Sequence, residues 1–260
     1  MANIITLTSD LQLQDHYVAS IKGSILSDLP EAQIVDISHF VPAFDIIQAA
    51  FVLQSCYQDF PKGTIHIVGV DSSDSKKPQA IVIESNGHYF VGPDNGVFSL
   101  LLKGEYDSIY KVSMPDENSG AYTFLMKEVY VKLAIFIAKG GELEAVGEKV
   151  GAIEEKMVLQ AVANESFIQG SVVYIDSYRN AIINISLDLF TEVGNGRPFK
   201  IYFHRKESVD YICSDYNDVG EGEVACLFGH SGLLEIAINK DKAADLIGLH
   251  IGSPIQIEFI

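Results

Sequence analysis

The sequence predicts an α/β domain followed by an all-β domain, and three observations predict it. Up to about residue 160, strand-like apolar runs alternate with helical stretches. After about residue 163 the pattern changes to short strands separated by Gly, Asn, Asp and Pro. At the start, Ile4-Ile5-Thr6-Leu7-Thr8-Ser9-Asp10 is an apolar run closed by a carboxylate. Asp15 and a helical pattern from Tyr17 to Gly23 follow it, the layout of a βα unit. The division is placed between 163 and 164, with an α/β domain over 1–163 and a β-barrel domain over 164–260.

In the first domain the strand candidates are 3–9, 33–37, 64–70, 80–84, 88–91 and 108–112, and the helix candidates are 16–28, 45–58 and 126–139. Asp45 precedes Ile46-Ile47-Gln48-Ala49-Ala50-Phe51-Val52-Leu53, apolar at helical spacing, and is placed to cap that helix. Alternation of this kind implies a mostly parallel sheet flanked by helices. In the second domain the short strands are Phe167–Ile175, Ala181–Ile185, Lys200–Phe203, Val224–Leu227, Leu234–Ile238 and Gln256–Phe259. Val193-Gly194-Asn195-Gly196 and Gly220-Glu221-Gly222 are turn signals, and a small barrel accounts for the set.

Charge narrows the partners. The 260 residues include 35 acids against 18 bases, a net −17 that repels phosphate and argues against nucleic acid. No apolar run approaches the roughly 20 residues that span a bilayer, so no membrane association is expected. The first residues enter a strand pattern without a basic leader, and Cys56, Cys213 and Cys226 are scattered, as suits core thiols in a reducing cytoplasm. The histidines show no metal-ligand spacing, so no metal site is expected. Neither a Walker motif, GxGxxG nor GxSxG is present.

Chemistry concentrates in three places. Asp10, Asp15 and Asp71 lie at or just past the ends of apolar runs, where open α/β sheets bind ligands. Carboxylates there accept hydrogen bonds from a ribose diol or hold a cation, although a helix cap at Asp10 and a turn beginning at Asp71 would also explain them. Tyr89-Phe90-Val91-Gly92-Pro93-Asp94-Asn95-Gly96 is an aromatic strand running into a tight turn, for which structure suffices. In the β part, Asp176-Ser177-Tyr178-Arg179-Asn180, Asn184 and Gly229-His230-Ser231-Gly232 form polar loops between apolar strands. Hairpin turns would explain them, yet Asn180 and Ser231 are able to read a purine edge.

Taken in order, these segments resemble the S-adenosylmethionine hydroxide adenosyltransferase family, related to the fluorinase and chlorinase enzymes. The likeness rests on Thr8-Ser9-Asp10 with Asp15 and Tyr17, Val35-Asp36-Ile37-Ser38, Phe44-Asp45-Ile46, and Phe60-Pro61-Lys62-Gly63-Thr64-Ile65-His66. It continues through Val70-Asp71, Val91-Gly92-Pro93-Asp94-Asn95-Gly96, Ile175-Asp176, Asn180, Asn184-Ile185 and Gly232-Leu233-Leu234-Glu235-Ile236-Ala237-Ile238-Asn239.

The resemblance implies an S-adenosylmethionine-binding α/β domain, a C-terminal barrel, and a homotrimer with each nucleoside site between the N-domain of one subunit and the C-domain of the next. It implies that Asp10 grips the ribose, that Asp71 lies beside the ribose and the reacting carbon, and that Phe44 is an apolar wall. Asp176, Asn180, Ser231, Glu235 and the backbone near Ile238 would hold the adenine or methionine parts, and Asp15 belongs to the same binding set. S-adenosylmethionine is then substrate or ligand, with no further cofactor.

The implied reaction is displacement at the ribose C5′. A sulfonium leaves as a neutral thioether and needs no acid; the nucleophile must stand in line at about 3–3.5 Å, away from competing water. Water gives adenosine and methionine. Hydrolytic members of the family position that water with an Asp–Arg–His set. Asp71 matches the first, whereas Pro78 stands at the arginine position and Leu125 at the histidine position, with Lys76 and Lys77 as nearby cations. The halide-pocket residues and the added loop of the halogenating members are not found. Hydrolysis assisted by Asp71, Lys76 and Lys77 is therefore the leading reading. Binding of S-adenosylmethionine or adenosine without turnover is the alternative.

Overall fold

The computed structural model describes residues 4–72, 79–113, 123–204 and 207–260. The chain forms two compact units, Met1–Val158 and Leu159–Ile260.

The first unit contains β1 (Ile4–Ser9), α1 (Tyr17–Asp28), β2 (Gln33–Ser38), α2 (Ile46–Gln54), β3 (Ile65–Gly69), β4 (Ala80–Ser85), β5 (His88–Pro93), α3 (Val97–Leu102), β6 (Ser108–Val112), α4 (Val131–Ala138) and β7 (Gly147–Lys149). The strands make one sheet in the order β2-β1-β3-β5-β4-β6-β7. The pairs β2–β1, β1–β3 and β3–β5 are parallel, and β5–β4, β4–β6 and β6–β7 are antiparallel. The sheet is thus mixed. The change of direction is written in Asn86-Gly87, both at positive φ (52° and 78°), which join β4 to β5 as a two-residue hairpin.

Helices cover both faces. Ile21 and Ile25 of α1 and Val131 and Ala134 of α4 pack with Ile5, Leu7, Ile65 and Ile67 on one side. Ala50 and Leu53 of α2 and Val97 and Leu101 of α3 pack with Val68, Val70, Ile81 and Ile83 on the other. β3 is buried throughout, as a central parallel strand between two helical layers must be. Asp45 caps α2 as expected, its Oδ1 accepting the Gln48 N–H at 3.0 Å. That helix stops at Gln54, and a 3₁₀ turn over Tyr57–Asp59 completes the segment read as 45–58. The segment read as 126–139 begins with a π-helical turn, Met126–Tyr130, that runs directly into α4. Gly69 lets this turn approach the sheet, since a Cβ there would collide with the Met126 sulfur.

The second unit contains β8 (Val162–Ala163), β9 (Phe167–Ile175), β10 (Ala181–Ser186), α5 (Leu187–Gly194), β11 (Phe199–His204), β12 (Glu207–Val209), β13 (Val224–Phe228), β14 (Leu233–Ile238), α6 (Ala243–Ile247) and β15 (Pro254–Phe259). Its sheet runs β12-β11-β15-β9-β10-β14-β13, with β8 on β9, and every pairing is antiparallel. The long β9 pairs with β15 along one part and with β10 along the other, so the sheet curls around Ile168, Ile183, Ile201, Ile236, Ile255 and Ile257. Just past β12 the chain meets β13: the Cys213 N–H donates to the Cys226 carbonyl at 2.7 Å, and the Tyr211 hydroxyl to the Val224 carbonyl at 2.8 Å. The result is a nearly closed barrel. The short α5 and α6 carry too few turns to stand out from the strand pattern; α5 starts at Ser186, whose Oγ accepts the Leu189 N–H.

Candidate functional site

β1 is the strand from which the first unit's connections reverse direction. One leads out through α1 to β2 on its left, and the next returns through α2 to β3 on its right, with α1 and α2 on opposite faces. This is a topological switch point, and the crevice at the carboxyl ends of its strands is where open α/β sheets bind ligands. Ser9 stands opposite Gly69 in the β1–β3 register, so Asp10 and Asp71 emerge from the same end of neighbouring strands. The structure brings these two predicted residues together.

Asp10 does not cap α1, whose N-terminus at His16 has no side-chain cap. Its Oδ2 instead accepts the Phe44 N–H at 3.0 Å. Phe44 is held at φ 67° and the residue is 67% exposed, an apolar surface beside a carboxylate. The Asp10 loop is fastened further by the Gln12 N–H on the His39 carbonyl at 2.8 Å and by a hydrogen bond of 2.7 Å between Ser9 Oγ and His39 Nδ1. His39 Nε2 meets Asp36 Oδ1 at 3.1 Å, and Asp36 also pairs with Lys22. Partial burial works to raise the Asp36 pKa, but the Lys22 and His39 contacts outweigh it and hold the carboxyl below its ordinary value. Ser9 and His39 are buried, so this Ser–His–Asp chain braces the loop and offers no exposed nucleophile.

Asp71 lies just beyond β3 at φ 47°, in the left-handed region that a non-glycine residue enters at a cost. The Asn95 amide holds it there, donating to the carbonyls of Val70 and Asp71 at 3.1 and 3.0 Å. Asp15 is exposed in the loop before α1. Leu125 is buried among the apolar residues between α4 and the sheet, so its position supplies no polar group. Lys76, Lys77 and Pro78 lie outside the described residues.

In the second unit, Asp176, Asn180 and Ile238 line one cleft of about 740 Å³, together with Tyr216 and Lys242. Asn180 is buried, its backbone N–H on Asp176 Oδ1 at 2.7 Å and its amide on Asp176 Oδ2 at 3.1 Å. Tyr216, which the sequence reading did not single out, donates its hydroxyl to Glu235 at 2.7 Å. Burial raises the Glu235 pKa, against the Tyr216 hydrogen bond and with the Asp176 charge. Ser231 sits exposed at the β13–β14 turn, its Oγ near the Leu233 N–H, and is not among the residues lining the cleft. The Asp176–Asn180–Glu235–Tyr216 set offers donors and acceptors beside the apolar Ile238, a mixture suited to a heteroaromatic base.

Comparison with known proteins adds the lineage. The model of the S-adenosylmethionine hydroxide adenosyltransferase N-terminal domain matches residues 5–147, and that of its C-terminal domain residues 170–256. A protein of Methanocaldococcus jannaschii named (R)-S-adenosyl-L-methionine hydrolase is 31% identical, over 98% of this chain and 95% of its own. One of the same name from Thermus thermophilus is 28% identical, over 96% and 97%. The crystal structure of an uncharacterised conserved protein from Thermotoga maritima superposes with a TM-score of 0.87 at 28% identity, over 98% of this chain and 99% of that one. Two domain models in the same order, and a relative above 30% identity along nearly the full length, show that the chain belongs to the S-adenosylmethionine hydroxide adenosyltransferase family.

Proposed function

We propose that this chain hydrolyses S-adenosyl-L-methionine, in the (R) form for which its relatives are named, to adenosine and methionine. The observation that carries the proposal is the pair Asp10 and Asp71 at the β1–β3 switch point, in a chain whose full-length relatives bear the name of that hydrolase. Asp10 accepts hydrogen bonds from the ribose hydroxyls through the oxygen that Phe44 leaves available, Asp15 joins it at the rim, and the Phe44 ring walls the sugar. Water attacks C5′; the C5′–S bond breaks with its electron pair going to sulfur, and the proton of the attacking water passes to Asp71. Lys76 and Lys77 serve in place of the arginine that hydrolytic members carry. Adenine and the methionine portion fall to Asp176, Asn180, Glu235, Ser231 and the backbone near Ile238. In this reading the N-terminal domain (1–163) of one subunit and the barrel (164–260) of the next share each site in a homotrimer, as the family resemblance implies, and the protein works in the cytoplasm. Incubation with S-adenosylmethionine followed by chromatography tests it: adenosine and methionine rising together above a protein-free control are expected, and their absence over hours refutes hydrolysis.

Leu125 favours a second reading. A buried apolar side chain stands where hydrolytic relatives are expected to carry a histidine, which suits retention of the nucleoside without turnover. Heat on titration with adenosine or S-adenosylmethionine, with no adenosine formed from the latter, would decide for it.

A further inference from the structure

We infer that Asn95 is the positioning residue for Asp71, fixing the direction in which that carboxylate meets the ribose and the attacking water. The inference rests on the hydrolase reading of the same site and adds to it a residue that does not itself touch substrate.

Geometry makes the assignment. At φ 47° the Asp71 backbone is in the left-handed region, which Asp enters more readily than most L-residues yet still at a cost, and a contact from outside the strand fixes it there. Asn95 is placed to do so. Its Oδ1 accepts the Val97 N–H at 3.1 Å, which fixes the amide orientation and turns the NH2 group toward the two carbonyls of Val70 and Asp71. Both amide hydrogens are thus used on consecutive peptide groups, a clamp that sets the rotation of the chain just where the Asp71 side chain departs.

The clamp is itself braced. Asn95 belongs to the turn between β5 and α3, whose next residue, Gly96, is at φ 97°. The preceding Asp94 accepts the Glu154 N–H at 2.7 Å and pairs with Lys111 at 3.4 Å, and Ser99 Oγ accepts the Lys156 N–H at 2.9 Å. The Lys156 side chain crosses Gly96 so closely that a Cβ there would collide with it. A turn pinned from two sides is rigid enough to hold a strained neighbour, as a residue that positions a catalytic group must be. In the sequence alone Asn95 is only one letter of a tight turn; its partners lie 24 and 25 positions away.

Asn95→Asp is the discriminating variant. It keeps the acceptor for Val97 and replaces the donating NH2 with an oxygen that faces two carbonyls. Adenosine formation and adenosine affinity are measured for the wild type, Asn95→Asp, and Asn95→Ser, a smaller variant held in reserve in case the first does not fold. The expected result is a fall of at least about tenfold in kcat with little change in KM, the equivalent of one or two lost hydrogen bonds. In Asn95→Asp, partial recovery of kcat relative to the wild type is expected at acid pH, where a protonated carboxyl again donates; a kcat loss at unchanged KM is what separates misdirection of Asp71 from a general structural defect. A wild type that binds adenosine without turnover also overturns the inference, since there is then no attacking water for Asp71 to meet. Unchanged kcat and affinity in a folded variant overturn the inference while leaving the site reading intact. A wild type that neither binds nor reacts overturns both.

Discussion

Asp10 carries the clearest residue-scale expectation. In the proposed site its carboxylate accepts from the ribose, and it is also the anchor of the Phe44 N–H. Asp10→Ala removes charge-assisted hydrogen bonds worth about 1.5–3 kcal/mol each, so adenosine should bind roughly tenfold to a hundredfold more weakly by calorimetry. His66 gives a second expectation, at a place remote from the site. It hydrogen-bonds Thr6 Oγ1 at 2.8 Å and His88 at 3.2 Å, beneath the rings of Tyr57, Phe60 and Phe90. Burial, and then the neighbouring His88, push its pKa from the ordinary 6.5 down to about 3. The unfolded chain takes up this proton below 6.5 while the folded one refuses it, so the contribution is complete above pH 6.5 and declines as the pH drops toward 3. Urea midpoints should therefore fall between pH 7 and pH 5, with a shallower decline in His66→Phe. Part of this scale was readable from the sequence. A cap at Asp45 follows from local spacing, and Asp10 and Asp71 follow from where apolar runs stop. The Tyr216–Glu235 and Asn95–Asp71 contacts bridge 19 and 24 residues and exist only once the sheets are assembled.

At the scale of elements, the alternation of strands and helices in the first half and the change to short strands in the second survive as two different architectures. What escaped is instructive. The dipeptide Asn86-Gly87 between two apolar runs is a strong hairpin signal, and it converts half of the first sheet to antiparallel pairing. α3 has six residues, α6 five, and β12 three; elements this short are set by what they pack on rather than by their own periodicity. The π-helical turn likewise answers to Gly69 and the sheet below it. The hairpin can be tested directly. Gly87 is at φ 78°, and an added Cβ would meet the Lys62 side chain at 3.1 Å. Gly87→Ala should then destabilise the first unit by about 1–2 kcal/mol, seen as a lower denaturant midpoint at unchanged slope.

For the whole molecule, the proposed site is shared between subunits, so assembly and function stand or fall together. Sedimentation equilibrium should give a mass near three times 28.5 kDa, and a single-chain mass at working concentration would refute the shared site. The two units also place their candidate residues by different means. In the first, parallel strands aim carboxylates from one end of a sheet; in the second, the antiparallel barrel sets Asp176 and Asn180 in the β9–β10 turn near Glu235 of the neighbouring β14.

β2 forms one margin of the first sheet, with a single strand beside it and side chains open to solvent along much of its length. Such a margin invites extension by any foreign strand of matching register, and a charge set into it is the usual deterrent. Asp36 is that charge, kept ionised by Lys22 from α1. The carboxylate that steadies the Asp10 loop through His39 thus also stands on the open margin of the sheet, so one side chain links the edge strand to the proposed crevice.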